Sequence, residues 1–171
     1  MRIAFYAPLK PLDHPAPSGD RRMARALVNL LRRLGHEVTV ASRLRAYDRE
    51  GDAERQTRLA RLGERVADRL TAAAARGQGP LAGAKAWLTY HVYHKAPDHL
   101  GSRVTAALGI PYVVAEASLA RKQAQGAWAV GHAAAERAIR AADVVLAMTR
   151  RDMGGLGDAV RPPAELRLFP P

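Results

Sequence analysis

At 171 residues the chain is long enough for one well-buried domain and too short for two. Its composition, 48% hydrophobic and 25% charged, is that of a globular protein; with no cysteine it excludes disulfides, thiolate catalysis and cysteine-ligated zinc or iron–sulfur centres. A formal net charge of +11 invites a polyanionic partner, yet among the basic residues only Lys10, Lys85, Lys95 and Lys122 are lysine, and so arginine-rich a chain equally reflects codon usage.

The first apolar run, Arg2–Ala7, ends at Pro8 and reads as a buried strand. Residues 8–19 carry Pro8, Pro11, Pro15 and Pro17 and close on Ser18-Gly19, which predicts a semi-rigid loop. From Asp20 to Leu34 the residues Met23, Leu27, Leu30, Leu31 and Leu34 recur at helical spacing, and Gly35 supplies the stop. Glu37–Ser42 alternates as a second strand, completing a βαβ unit.

Residues 52–76 form a long amphipathic helix with an arginine-rich outer face, broken by Gly77, Gly79, Pro80 and Gly83. A third strand follows at Lys85–Tyr90, then a helix from Pro97 to Leu108 and a fourth strand at Pro111–Ala115. Residues 116–126 read as loop, Trp128–Ala142 as helix, Asp143–Met148 as the fifth strand, 150–157 as a short helix and Leu166–Phe169 as the last strand. Strands that are continuously apolar and alternate with helices predict an α/β Rossmann-like fold: a doubly wound, mostly parallel sheet of about six strands in the order 3-2-1-4-5-6, with helices on both faces.

In such a sheet ligands bind beyond the carboxyl ends of the strands at the switch point, which this order puts between strands one and four. The loop at Ser18, Gly19, Asp20 and Arg22 is then one lip and Glu116 and Ser118 the other. The first loop lacks both a G-x-G-x-x-G fingerprint and a P-loop, which argues against NAD binding and ATP hydrolysis. Free amides at the helix start together with Arg22 suit a phosphate or a sugar hydroxyl; the plainer alternative is that Ser18 or Asp20 simply caps the helix.

Tyr90, His91, His94 and Lys95 follow the third strand and offer imidazole, phenol and ammonium groups for acid–base work or sugar contacts, or serve as ordinary surface residues. Their spacing is not that of a metal site, and no metal is expected. Glu116 and His91 are the candidate catalytic groups. Lys122, with Arg121 beside it, is a candidate phosphate contact, and His132 reads as a buried or flanking histidine.

Three segments together resemble the N-terminal domain of retaining GT-B-fold glycosyltransferases of the broad family 4 group. They are RIAFYAPLKPLDHPAPSGDRRMARALVNLLRRLGHEVTVAS, LGIPYVVAEAS and AAERAIRAADVVLAMTRRDMGGL, in family order and spacing across nearly the whole chain. The resemblance implies an acceptor-side domain spanning residues 1–171, with Ser18 and Gly19 where the family has paired glycines near acceptor or donor phosphate. It also implies a nucleoside-diphosphate sugar as donor, a sugar or glycan acceptor, no bound cofactor, and a donor-binding domain beyond Pro171 that supplies most of the catalytic groups. The family's histidine after the fourth strand corresponds here to Ser118, so that role does not transfer.

A different class of reading is a non-catalytic module for an anionic glycan, lipid or protein. The opening MRIAFYA has none of the segments of a secretory leader, so a cytoplasmic location is expected, with peripheral contact to an anionic inner-membrane face as an extension of the basic charge. Nucleic acid is disfavoured, because no recognition motif or aromatic platform accompanies the arginines.

Overall fold

The computed structural model describes residues 1–170. Six parallel strands form one sheet: β1 Arg2–Tyr6, β2 Glu37–Val40, β3 Ala86–Val92, β4 Tyr112–Ala117, β5 Val144–Ala147 and β6 Glu165–Leu168. Five helices connect them: α1 Gly19–Arg33, α2 Ala53–Ala75, α3 Gly101–Leu108, α4 Ala129–Ala141 and α5 Arg150–Leu156, with a 3-10 turn at Arg121–Gln123. The α/β Rossmann-like architecture is as the sequence predicts.

The strand order is a correction. It is 2-1-3-4-5-6 and not 3-2-1-4-5-6: β3 pairs with β1 through Ile3–Ala86 to Tyr6–Thr89, and with β4 on its other side. The chain therefore reverses between β1 and β3, which moves the switch point there from the β1/β4 position. Hydrophobic periodicity identifies a strand without saying on which side of its predecessor it pairs, and the 23-residue α2 is long enough for either crossover.

Handedness then fixes the layers. Right-handed crossovers that step in one direction along a sheet put their helices on one face, and a step in the opposite direction uses the other. Only the β1–β2 step runs backwards, so α1 alone lies on one face. There Ala24, Leu27 and Val28 pack on Ile3, Phe5, Leu88 and Tyr90. The alternate strand residues Ala4, Tyr6, Trp87, Tyr112, Val114 and Val145 face the other side and meet Ala67 of α2, Val104 of α3, Ile139 of α4 and Leu156 of α5.

Two sequence-predicted boundaries shift. The third and fourth strands run two residues further than expected, to Val92 and Ala117. The third helix begins at Gly101 and not at Pro97, because the buried Asp98 turns its carboxylate onto the N–H groups of Leu100 and Gly101, at 2.7 and 2.9 Å, and so fixes the start.

Several arginines are occupied structurally. Arg21 donates to the carbonyls of His14 and Pro15, Arg25 to Leu12, Arg45 to Leu9, and Arg43 pairs with Asp13. These four residues strap the proline-rich loop to the domain, so part of the high arginine content acts internally. No helix among the described residues is long and apolar enough to cross a membrane.

Candidate functional site

Two residues that are not glycine have left-handed backbones among the described residues, His91 with φ 64° and Glu116 with φ 58°. They lie level with each other on neighbouring strands, between the pairs Tyr90–Ala115 and Val92–Ala117. Residues other than glycine seldom adopt that conformation, histidine more readily than glutamate; it costs on the order of 1–3 kcal/mol per residue and collects at functional sites. Its structural effect is a break in strand alternation. Tyr90 and Ala115 face α1, whereas Val92 and Ala117, two residues on, face the α2–α4 layer. The kink accompanies the approach of His91 to Asp20 at the start of α1 and to Glu116 on the neighbouring strand.

His91 links the end of β3 to the start of α1 and to β4. Its Nδ1 lies 3.0 Å from Asp20 Oδ1 in the first turn of α1 and 3.6 Å from Glu116 Oε1. In the neutral tautomer that donates from Nδ1 to Asp20, Nε2 carries a lone pair and accepts from a ligand hydroxyl. Burial, then the neighbouring Glu116 carboxylate, holds the Tyr90 pKa far above the ordinary phenol value. Burial, then the neighbouring Tyr47 and Asp20, pushes the Tyr93 phenol up to about 12. Both phenols therefore stay protonated and donate.

The α1 end supplies backbone groups. Ser18 is the N-cap and its Oγ accepts from Arg21 N–H at 3.2 Å, so the capping role holds. Gly19 has an ordinary negative φ, and a Cβ added to it would have nothing within 4 Å. No protein contact demands glycine there, and the space in front of it is open. Arg22 is exposed on the same turn. On the opposite lip Ser118 continues the strand ladder by donating its N–H to Val92 O at 3.0 Å.

His94 and Lys95 occupy a tight turn closed by mutual backbone bonds between Tyr93 and Ala96. Lys95 Nζ sits 4.4 Å from the centre of the Trp128 ring, and His94 packs edge-on to the same ring. Burial, then the charges of Lys95, His132 and Lys122, lowers the His94 pKa, so this corner is positively charged with a neutral imidazole in it. Lys122 lies exposed in the 3-10 turn.

Two supports of the site have no sequence signal. The buried Asp48 accepts from the N–H groups of Glu50 and Asp52 and from Gln56 Nε2, while Gln56 Oε1 takes the N–H of Gly131 and Nε2 reaches Ala127 O. This network ties the loop after β2 to the start of α4. Trp128, read from sequence only as a helix start, is the platform under His94 and Lys95. Polar residues of these types in loops and helices are usually solvated, so nothing in their spacing marks them.

Gly131 is the contact point of α4 with the turn: a Cβ there would lie 2.1 Å from the His94 carbonyl oxygen. Glycine-to-alanine in a helix interior ordinarily stabilises by about 1 kcal/mol. Here Gly131→Ala is expected to destabilise by about 2 kcal/mol, because overpacking against fixed backbone wins. A urea midpoint equal to or above that of the parent chain would contradict this.

Burial lowers the pKa of His99, beyond what the nearby Asp98 carboxylate restores. A histidine depressed in the folded state leaves stability unaffected above its ordinary value of about 6.5. Below that the unfolded chain takes the proton first, and stability falls towards the folded pKa. The denaturation midpoint is therefore expected to drop between pH 7.5 and 5.5, and to drop less in His99→Gln; a flat profile would contradict the burial argument.

No group of three His, Asp or Glu side chains is placed to hold a metal ion among the described residues. Fold and site define a Rossmann-like parallel α/β domain with a polar, histidine-centred cluster of side chains beside its switch point. No model of a known protein family matches the chain, and no curated protein is significantly similar to it.

Proposed function

We propose that this chain is the acceptor-side half of a GT-B-fold glycosyltransferase. Its complete form would transfer a sugar from a nucleoside-diphosphate sugar to an acceptor hydroxyl, with retained configuration. The reading rests on the three family-like segments and, above all, on His91 being held between Asp20 and Glu116 at the switch point, with strained backbone at both strand ends. In this role His91 Nε2 accepts from the acceptor hydroxyl and aims its oxygen, Glu116 with Tyr90 binds a neighbouring hydroxyl, and the open space at Gly19 admits the ligand to the amides of α1.

Lys95, Lys122 and the neutral His94 favour an acceptor carrying a phosphate or carboxylate. The half-exposed setting of Asp20 and Glu116 suits one wall of a cleft whose other wall, on the donor-binding half, holds the nucleotide sugar. The proposed location is cytoplasmic, where nucleotide sugars are consumed, with the basic surface allowing contact with an anionic membrane face. A non-catalytic module for an anionic glycan, lipid or protein is the second reading, favoured by the same cationic corner.

The complete protein encoded with this chain is incubated with nucleoside-diphosphate sugars and phosphorylated or carboxylated glycan acceptors, and product is followed by mass. Transfer that His91→Ala depresses supports the proposal. Glycan binding at the crevice without consumption of any nucleotide sugar supports the module and overturns the transferase. The 171-residue chain alone is expected to be inactive.

A further inference from the structure

The corner where the start of α4 meets the turn after β3 gathers groups that lack an acceptor. The indole Nε1–H of Trp128 is buried without a hydrogen-bond partner, and so is Nε2 of His132 one helical turn on. His132 is only 6% exposed. Helical side chains lean towards the helix N-terminus, so its ring points back over the first turn of α4. It lines a cavity of about 330 Å³ beside the 3-10 turn, whose two carboxylates, Glu136 and Asp158, are already taken by Arg140 and Arg121.

The helix start is open as well. Trp128 is the N-cap of the 13-residue α4 and provides no side-chain cap, and the N–H of Val130 has no partner among the described hydrogen bonds. Free amides at the positive end of a helix attract an anion. The surrounding charge has one sign. Lys95 Nζ lies 4.4 Å from the centre of the Trp128 ring, Lys122 is exposed in the 3-10 turn, and neither pairs with a carboxylate among the described residues. The charges acting on His94, edge-on to Trp128, are those of Lys95, His132 and Lys122. The buried Asp48 carboxylate behind the corner is occupied by the N–H groups of Glu50 and Asp52 and by Gln56. Buried donors without an acceptor are costly, and charge-assisted bonds to an anion satisfy them.

We infer that the start of α4 is a binding site for a phosphomonoester, held by the Lys95 and Lys122 ammonium groups and the Val130 amide, with Trp128 and His132 supplying ring N–H donors. A phosphate dianion offers three terminal oxygens to donors converging from the turn after β3, the 3-10 turn and the helix start, where a carboxylate offers two. Within the transferase reading this gives the anionic group of the acceptor its place; only the sugar that carries the phosphate rests on that reading.

The chain has two tryptophans, and Trp87 Nε1 already donates to Thr89, so the Trp128 indole N–H is a separate reporter in nitrogen-15 spectra. The 171-residue chain is titrated with glucose 6-phosphate, inorganic phosphate and glucose. Glucose 6-phosphate is expected to move the Trp128 indole and Val130 amide signals to saturation, inorganic phosphate to do so more weakly, and glucose to leave both in place. The exposed substitution Lys122→Gln should weaken binding about tenfold, the scale of one charged hydrogen bond, while thermal unfolding is unchanged; Lys95→Gln should act alike. Silence of both signals with either phosphate, an equal response to glucose, a response to inorganic phosphate alone, or full affinity in Lys122→Gln overturns the inference. The transferase reading fails separately: phosphate binding here without sugar transfer by the complete protein keeps the site, whereas transfer with the corner silent removes it.

Discussion

On the transferase reading, replacing His91 with alanine is expected to lower kcat/KM for sugar transfer by the full protein about 100-fold, the scale of losing a positioned proton-accepting group. Asp20→Asn should cost about tenfold, since an amide facing Nδ1 no longer selects the tautomer with a free Nε2 lone pair. Stability should move the other way. His91 has φ 64°, and His91→Gly relieves strain on the order of 1–3 kcal/mol against an entropic cost of about 0.5–1 kcal/mol for glycine, leaving a net gain of about 1 kcal/mol. A residue kept for structure alone would destabilise the domain on replacement and spare transfer. Activity lost together with a raised unfolding midpoint distinguishes the two.

Asp98→Ala is expected to be the most damaging single substitution to the fold, at about 4 kcal/mol. The Asp98 carboxylate is 3% exposed and accepts from the hydroxyls of Thr89 and Tyr112 and from the N–H groups of Leu100 and Gly101. Thr89 Oγ1 in turn accepts from Trp87 Nε1 at 2.7 Å, so one carboxylate organises β3, β4 and the start of α3. Alanine strands several buried donors at about 1–3 kcal/mol each, partly offset by relaxation. For a chain of this size the melting temperature falls by roughly 10 °C. Asp98→Asn keeps the acceptor for both amides and leaves two hydroxyls free to rotate, so about 1–2 kcal/mol is expected. Equal losses for the two variants would show that the site matters for its volume and not for its acceptors.

Much of the fold was legible because its strands are short apolar runs punctuated by glycine and proline, and its helices carry clean stripes such as Leu27–Leu31–Leu34. Pairing side was not, because the apolar residues of β3 look the same whether it flanks β2 or β1. The error mattered, since it also concealed which face α2 covers. Site residues were read from their placement at strand ends: Asp20, His91 and Glu116 were expected near one another, and the distances bring them together. What sequence did not carry is the left-handed backbone at His91 and Glu116, which residues other than glycine seldom adopt. The Asp48–Gln56–Gly131 tie and the Trp128 platform were equally hidden, because they join residues distant in sequence, Gln56 and Gly131 being 75 positions apart, through single contacts.

Nuclear magnetic resonance of the labelled 171-residue chain during titration with neutral and phosphorylated sugars addresses the crevice directly. Amide shifts concentrated at Gly19–Asp20, Tyr90–Lys95 and Glu116–Ser118, larger for the phosphorylated sugars and lost in His91→Ala, are the predicted result. Shifts confined to other surfaces, or none up to millimolar sugar, would contradict an acceptor site at the mouth of β1 and β3.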